Sequence, residues 1–122
     1  MLPRSHRLHR SADFATVVRK GARKGRRTMV VHAHVDSSDV RVGGPRFGLV
    51  VSKAVGDSVT RHRVSRRLRH IAAEVLADVD PDLMVVVRAN PASATAPHAD
   101  LVRDMRTGLA AAASRALSLI HI

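Results

Sequence analysis

The sequence contains no cysteine, no tryptophan and no tyrosine, and only two phenylalanines among 122 residues. The absence of cysteine excludes disulfides, thiolate zinc sites and a cysteine nucleophile, and it fits a reducing compartment such as the cytoplasm. The scarcity of aromatic rings predicts an aliphatic core. No apolar run approaches the roughly 18 residues that a membrane helix needs, and no apolar segment follows the basic N-terminus, so we expect neither a membrane span nor a signal peptide.

Acidic residues are also scarce. Asp and Glu number 10 against 21 Lys and Arg, so the formal charge is +11 and a polyanion is the first partner to consider. The basic residues fall in two blocks, residues 1–27 with nine cations and one acid, and residues 53–69 with six cations and one acid. Because ordinary surfaces intersperse both signs of charge, we favour a continuous positive surface over a merely solvated charged face.

Length and apolar periodicity predict one domain over residues 1–122, with a basic arm at 1–10 and a short tail at 118–122. The predicted elements, in chain order, are a helix at 11–20, a basic loop at 22–27, strands at 28–35 and 46–52, a helix at 59–77, a strand at 83–88 and a helix at 98–117. This order predicts an α/β (α+β) sandwich with three helices and a mostly antiparallel central sheet of about four strands. The 59–77 helix joins two strands, and it is a βαβ crossover if they are parallel neighbours.

The first predicted helix has clear end signals. Ser11 is the expected N-cap, and Gly21 is expected to end the helix in a left-handed conformation. Phe14, Val17 and Val18 share one face of it and predict its buried side.

The helix at 59–77 carries the densest positive charge. Its apolar residues Val64, Leu68, Ile71 and Val75 fall within about 60° of one another on a helical wheel and predict a buried stripe. The segment 61–69 holds five arginines, whose mutual repulsion is unfavourable for the helix. A phosphate backbone alongside would relieve that repulsion. A membrane-surface helix would need an exposed apolar face, whereas this stripe is needed for the core.

No protein active site is visible in the sequence. The eight histidines form no HExxH pair, and no phosphate-binding glycine loop is present. His32 and His34 share a strand face and could bind a metal, although two partly exposed strand histidines are the simpler interpretation. Whether the protein itself holds a metal ion stays open from the sequence.

The segment 50–69 resembles the signature of the bacterial ribonuclease P protein component family. There, a Ser-Lys-x-x-Gly turn precedes an Arg-Asn-Arg core and further basic residues. In this sequence Ser52 and Lys53 begin the turn and the core is Arg61-His62-Arg63, so a histidine replaces the usual asparagine. Moderate matches extend the resemblance over residues 4–117, with Val18 where a second aromatic residue is often present on the first helix.

The resemblance implies a subunit of a ribonucleoprotein that removes the 5′ leader from precursor tRNA, in which the RNA subunit performs the hydrolysis with magnesium. It implies a cytoplasmic location, one protein per RNA, no catalytic residue in the protein, and a left-handed βαβ crossover against the usual right-handed preference. The residues expected to bind the RNA subunit are Arg61, His62, Arg63, Arg66, Arg67 and Arg69. The residues expected to line a cleft for the single-stranded leader are Phe14, Ser52, Lys53 and Arg88.

Several alternatives stay open from sequence. Phe14 either stacks on a base or is a core residue. The same basic faces would suit a structural RNA-binding protein such as a ribosomal protein. A free-standing nuclease would need a catalytic His or Asp set, which the sequence does not show. No role is predicted for the loop at 36–45 or for the tail at 118–122.

Overall fold

The computed structural model describes residues 2–35 and 44–118, which form three α-helices and one four-stranded sheet. The elements, in chain order, are α1 Ser11–Lys20, β1 Ala22–Gly25, β2 Met29–Val35, β3 Arg46–Val50, α2 Ser58–Val75, β4 Leu83–Ala89 and α3 His98–Ser118. Short 3₁₀ turns occupy Arg4–His6, Lys53–Val55, Leu76–Asp78 and Pro91–Ala94. Among these residues, no helix is both long enough and apolar enough to cross a membrane.

The strand order in the sheet is β1-β2-β4-β3. The pairs β1–β2 and β2–β4 are antiparallel, whereas β3 and β4 are parallel. Because α2 connects this parallel pair, the chain contains the predicted βαβ crossover, and the predicted α/β fold with a mostly antiparallel sheet is confirmed. The handedness of that crossover stays a prediction from the resemblance.

One face of the sheet packs against α2 and α3. The predicted stripe of α2 is confirmed, since Val64, Leu68, Ile71 and Val75 are all buried in the main core. The opposite face carries α1 and a smaller apolar cluster, which consists of Leu8, Val17, Met84 and Val86 with Phe14 and Val18 packed against it. The short α1 therefore covers only part of its face of the sheet.

Three predictions for α1 and the segment after it are wrong. Residues 22–27, predicted as a loop, contain the edge strand β1, in which Ala22 is buried and pairs with Ala33. Charged residues are common on edge strands because they oppose pairing with other chains. Gly21 is extended, with φ −75°, instead of left-handed, and a Cβ there would lie 2.4 Å from the carbonyl oxygen of Val17. Glycine is needed at this position for close packing, and the N-cap of α1 is Arg10 instead of Ser11.

The N-terminal arm packs along the free edge of β3. The backbone N–H of Leu8 donates to the carbonyl of Phe47 at 2.8 Å, and Arg7 forms a parallel bridge with the same residue. Leu2 is 2% exposed, so the arm is part of the packed domain. Most of the loop at 36–45 and the tail beyond residue 118 lie outside the described residues.

A buried carboxylate fastens the β1–β2 turn to α3. Asp104 is 1% exposed and accepts hydrogen bonds from the Thr28 N–H at 3.1 Å, the Thr28 hydroxyl at 2.6 Å and Arg26 Nε at 3.4 Å. Burial raises the pKa of Asp104, but the hydrogen bonds from Thr28 and Arg26 outweigh it and hold the pKa below its ordinary value. The side-chain amide of Asn90 also donates to the carbonyl of Arg26 at 2.9 Å. The turn is thereby held from two sides.

Candidate nucleic-acid interface

The start of α2 is fixed by a side-chain cap. The Asp57 carboxylate accepts a hydrogen bond from the Thr60 backbone N–H at 2.8 Å, which is the usual N-cap arrangement. Hydrogen bonds from Thr60 hold the pKa of Asp57 below its ordinary value, so the cap is charged near neutral pH. Just before the cap, Val55 of the preceding 3₁₀ turn is buried. The Ser-Lys turn and the cap together set which side of α2 each arginine occupies.

The basic side chains of α2 divide into two groups. Arg63 and Arg67 point toward the segment after β4, where they donate to the carbonyls of Ala94 at 3.2 Å and Ala96 at 3.0 Å. Arg61 and Arg69 are partly buried on the other side, beside β3. His62 and Arg66 are exposed between the two groups. The predicted residues therefore extend from the flank of α2 beside β3 to the flank that faces Ala94 and Ala96.

The acidic residues that form ion pairs lie in a different part of the molecule. Among the described residues, ion pairs join Arg26 and Arg103 to Asp104, Arg27 and Arg103 to Asp100, and Arg106 to Asp78. They lie around α3 and the β1–β2 turn. Within the described ranges, no arginine of α2 forms an ion pair. The positive charge of α2 is therefore available to an outside anion.

The opposite face of the sheet forms a second basic surface, beside α1. The Phe14 ring lies against Gly48, where a Cβ would be 2.3 Å from ring atom Cε1. Val50 follows two residues later on the same face of β3 and pairs with Arg88 of β4. Arg88 is exposed and Val50 is 37% exposed. Phe14 and Arg88 thus lie on the same face, with an open strip of sheet beside α1.

Ser52 and Lys53, the other two predicted cleft residues, are both exposed and follow shortly after β3. Ser52 precedes the short 3₁₀ turn that leads to α2, and its carbonyl accepts a hydrogen bond from the Val55 N–H at 3.1 Å. The parallel pairing of β3 with β4 brings this end of β3 level with Arg88. Phe14 is half-buried, with its ring packed against the smaller cluster. The ring therefore packs partly into this cluster, and its stacking on a base stays a prediction.

His32 lies on the α1 side of the sheet and was expected to be partly exposed, which is wrong. The residue is 1% exposed, and neither ring nitrogen has a hydrogen-bond partner in residues 2–35 or 44–118. Burial lowers the pKa of His32, and the nearby charges of Arg88 and Arg23 lower it further. This environment of His32 follows from the strand register, which places Arg23 directly opposite His32. The sequence pattern of β2 alone does not reveal it. Within the part of the chain that the structure describes, no group of three or more His, Asp or Glu residues could hold a metal ion.

The burial of His32 predicts a pH dependence of stability. Since its folded-state pKa lies below the ordinary value of 6.5, its contribution to stability is present above pH 6.5 and is lost as the pH falls through the folded-state pKa. Lowering the pH from about 7.5 to about 5 should therefore reduce the free energy of unfolding of the wild-type chain more than that of a His32→Leu variant. Urea unfolding at each pH measures the two values. Parallel stability curves for the two proteins would contradict a buried, neutral His32.

Comparison with known proteins connects this geometry to a family. The sequence model of the family described as Ribonuclease P matches residues 2–113. The chain is 51% identical to the ribonuclease P protein component of Nocardia farcinica over 127 aligned residues, which cover 89% of this chain and 81% of the relative. It is 54% identical to the ribonuclease P protein component of Rhodococcus erythropolis over 113 residues, covering 89% of this chain and 90% of the relative.

Solved structures show the same fold at low sequence identity. The RNase P protein of Staphylococcus aureus superposes with a TM-score of 0.76 at 21% identity, covering 88% of this chain and 94% of that chain. The RNase P protein of Thermotoga maritima superposes with a TM-score of 0.72 at 17% identity, covering 83% and 94%. At these identities the superpositions support the fold alone.

Proposed function

Since this chain belongs to the ribonuclease P protein family, over residues 2–113 and with relatives at 51% and 54% identity, we propose that it binds the RNA subunit of that enzyme through the outer side of α2. The chain is a protein component of ribonuclease P, a ribonucleoprotein endoribonuclease of tRNA processing. The ribosomal alternative is set aside on this basis. The observation that carries the proposal is the set of α2 arginines without an acidic partner among the described residues.

The geometry of α2 suits a phosphate backbone. Arg63 and Arg66 are exposed, and Arg63 is steadied by its hydrogen bond to Ala94. A guanidinium that is already held in place loses less side-chain entropy when it binds phosphate. Val59 on the same side of the helix is 74% exposed and offers apolar contact to a ribose or base. Each phosphate that the helix neutralises releases counterions and adds to affinity.

We further propose that the single-stranded 5′ leader of precursor tRNA lies in the cleft beside α1. Arg88 and Lys53 are exposed there and can contact its phosphates, while Ser52 offers a hydroxyl. The accessible part of the Phe14 ring can stack on a base, which is worth roughly 1–3 kcal/mol in other single-strand binders. The neutral His32 beneath adds no charge to this surface.

The protein's part in the reaction is binding and orientation. As the family resemblance implies, we propose that the RNA subunit performs the hydrolysis and holds the magnesium ions. We also propose one protein per RNA and a cytoplasmic location. The protein then acts by holding the RNA subunit and the leader on two faces of one sheet.

Cleavage of precursor tRNA at low magnesium tests this proposal. Adding the protein to its cognate RNA subunit should raise the cleavage rate on the order of tenfold or more, which corresponds to about 1.4 kcal/mol. Protein alone should cleave nothing. An unchanged rate with the RNA subunit would reject the proposal, and cleavage by protein alone would instead favour a free-standing nuclease.

Changing Gly48 to alanine should reduce leader recognition. The added methyl group would collide with the Phe14 ring and displace it from the cleft. The affinity for precursor tRNA relative to mature tRNA, measured with the assembled particle, should fall by about tenfold, the effect of losing one stacked base. Gly25→Ala is the matched control, because nothing lies within 4 Å of a Cβ at that glycine. Equal ratios for the two variants would show that the ring has no part in leader binding.

A further inference from the structure

A second polar pocket lies on the opposite face of β3 from the leader cleft. Strand residues alternate in direction, so Leu49 and Val51 point away from the side that Gly48 and Val50 occupy. The pocket is open to solvent and has a volume of about 390 Å³ between these residues and α2, which is near the lower end of the range of small-ligand sites. Its full lining is Leu49, Val51, Ser58, Arg61, His62, Ser65 and Arg69.

The two walls of this pocket differ in chemistry. The strand wall, Leu49 and Val51, is apolar, whereas α2 contributes two guanidinium groups, one imidazole and two hydroxyls. Such a pair of walls matches a nucleotide, which has an apolar base face and an anionic phosphate. Proteins commonly recognise RNA by holding bases that have left the helical stack against side chains of this kind.

Arg61 gives a second reason to expect an anion here. Its Nε atom is buried and has no hydrogen-bond partner among the described residues. A buried donor without a partner is unfavourable, and native structures rarely retain one. A phosphate within the pocket would face the guanidinium charges of Arg61 and Arg69, and a change in the Arg61 side-chain conformation would let Nε donate to a phosphate oxygen.

We propose that this pocket receives one unpaired nucleotide of the RNA subunit, with its base against Leu49 and Val51 and its phosphate between Arg61 and Arg69. The inference rests on the proposed binding of the RNA subunit by α2 and identifies the point at which the contact becomes selective for an extruded nucleotide. The leader is the competing occupant, because Leu49 and Arg69 also line the hollow that contains Phe14 and Gly48, and the experiments below distinguish the two.

The chain lacks cysteine, so a single introduced thiol reports on the pocket. The thiol of a Ser65→Cys variant should react with iodoacetamide in the free protein and be protected when the RNA subunit binds. Ser114→Cys, on the exposed side of α3, is the control and should react equally in both states. A short photo-reactive group on the Ser65→Cys thiol should crosslink to one unpaired position of the RNA subunit.

Charge variants distinguish binding in the pocket from general electrostatic attraction between the protein and the RNA. Arg61→Gln and Arg69→Gln should each weaken RNA-subunit binding about tenfold more than Arg66→Gln, which removes the same charge from outside the pocket. Ser65→Met, which narrows the pocket at constant charge, should weaken binding by a similar factor while circular dichroism shows an intact helix. Because Arg61 and Arg69 share one phosphate, their double variant should lose less than the product of the two single losses.

The outcomes distinguish the pocket from the wider function. Normal RNA-subunit binding with an unprotected Ser65→Cys thiol, and equal losses for all three arginine variants, would overturn the pocket alone. Protection that appears only when precursor tRNA is added would assign the pocket to the substrate and also overturn it. Absence of any RNA-subunit binding by the unmodified protein would reject the proposed function together with the pocket.

Discussion

Replacing Arg63 and Arg66 together by alanine should weaken binding to the RNA subunit about 100-fold, because two phosphate contacts of about 1.4 kcal/mol each are lost. Both side chains are exposed on α2, and within the described part of the chain their one hydrogen bond joins Arg63 to the carbonyl of Ala94. Their removal also relieves like-charge repulsion along the helix. Helical circular dichroism and the urea midpoint should therefore change little. Filter binding at fixed salt measures the loss.

The matched control removes the same charge from the other side of the molecule. Arg106 and Arg115 are exposed on α3, where Arg106 pairs with Asp78 at 3.7 Å. Their double alanine variant should bind the RNA subunit within about threefold of the wild type, because screening weakens the effect of distant charges. If both double variants lose affinity equally, net charge alone drives binding. If the α2 variant loses helicity in proportion to affinity, its arginines act through folding.

Replacing Asp104 by alanine should lower the free energy of unfolding by about 3–4 kcal/mol. This is the largest stability effect that we expect from the loss of one buried charge. The carboxylate is 1% exposed, and its loss leaves the N–H and hydroxyl of Thr28 without acceptors. It also removes the counter-charge of Arg26 and Arg103. Urea unfolding near pH 7 measures the change.

A variant of a more exposed carboxylate and stability measurements at acid pH complete that test. Asp100→Ala, which removes a more exposed carboxylate paired with Arg27 and Arg103, should change stability by less than about 1 kcal/mol. Since the folded-state pKa of Asp104 lies below 3.8, its contribution is present above that pH and is lost as the pH falls through the folded-state pKa. An Asp104→Ala variant as stable as Asp100→Ala would show that the β1–β2 turn does not depend on this carboxylate.

Apolar periodicity predicts the parts of the fold whose residues repeat regularly. The stripe from Val64 to Val75 identifies the buried side of α2, and the outward direction of Arg66 follows from it. Periodicity does not predict strand β1, because the strand is only four residues long and three of them are exposed. It does not predict the packing of the N-terminal arm either, since Leu2 and Leu8 lie outside any periodic segment.

Pairing between distant segments decides what periodicity leaves undetermined. The depth of His32 depends on its position between β1 and β4, and the division of the α2 arginines depends on where β3 and the segment after β4 lie. The location of the ion pairs around α3 is equally a property of the folded chain. For the leader cleft, the resemblance supplied Phe14, Ser52, Lys53 and Arg88, and the structure places Phe14 and Arg88 on one face of the sheet.

The salt dependence of RNA-subunit binding tests the central claim most directly. If α2 binds the RNA through phosphates, the logarithm of the binding constant should fall linearly with the logarithm of salt concentration, by about 0.7–0.9 per phosphate neutralised. Four to six contacts give a slope of about −3 to −5, and the Arg63→Ala/Arg66→Ala variant should be shallower by about 1.5–2. A flat response, or a slope that this variant leaves unchanged, would contradict the claim that the exposed arginines of α2 hold the RNA.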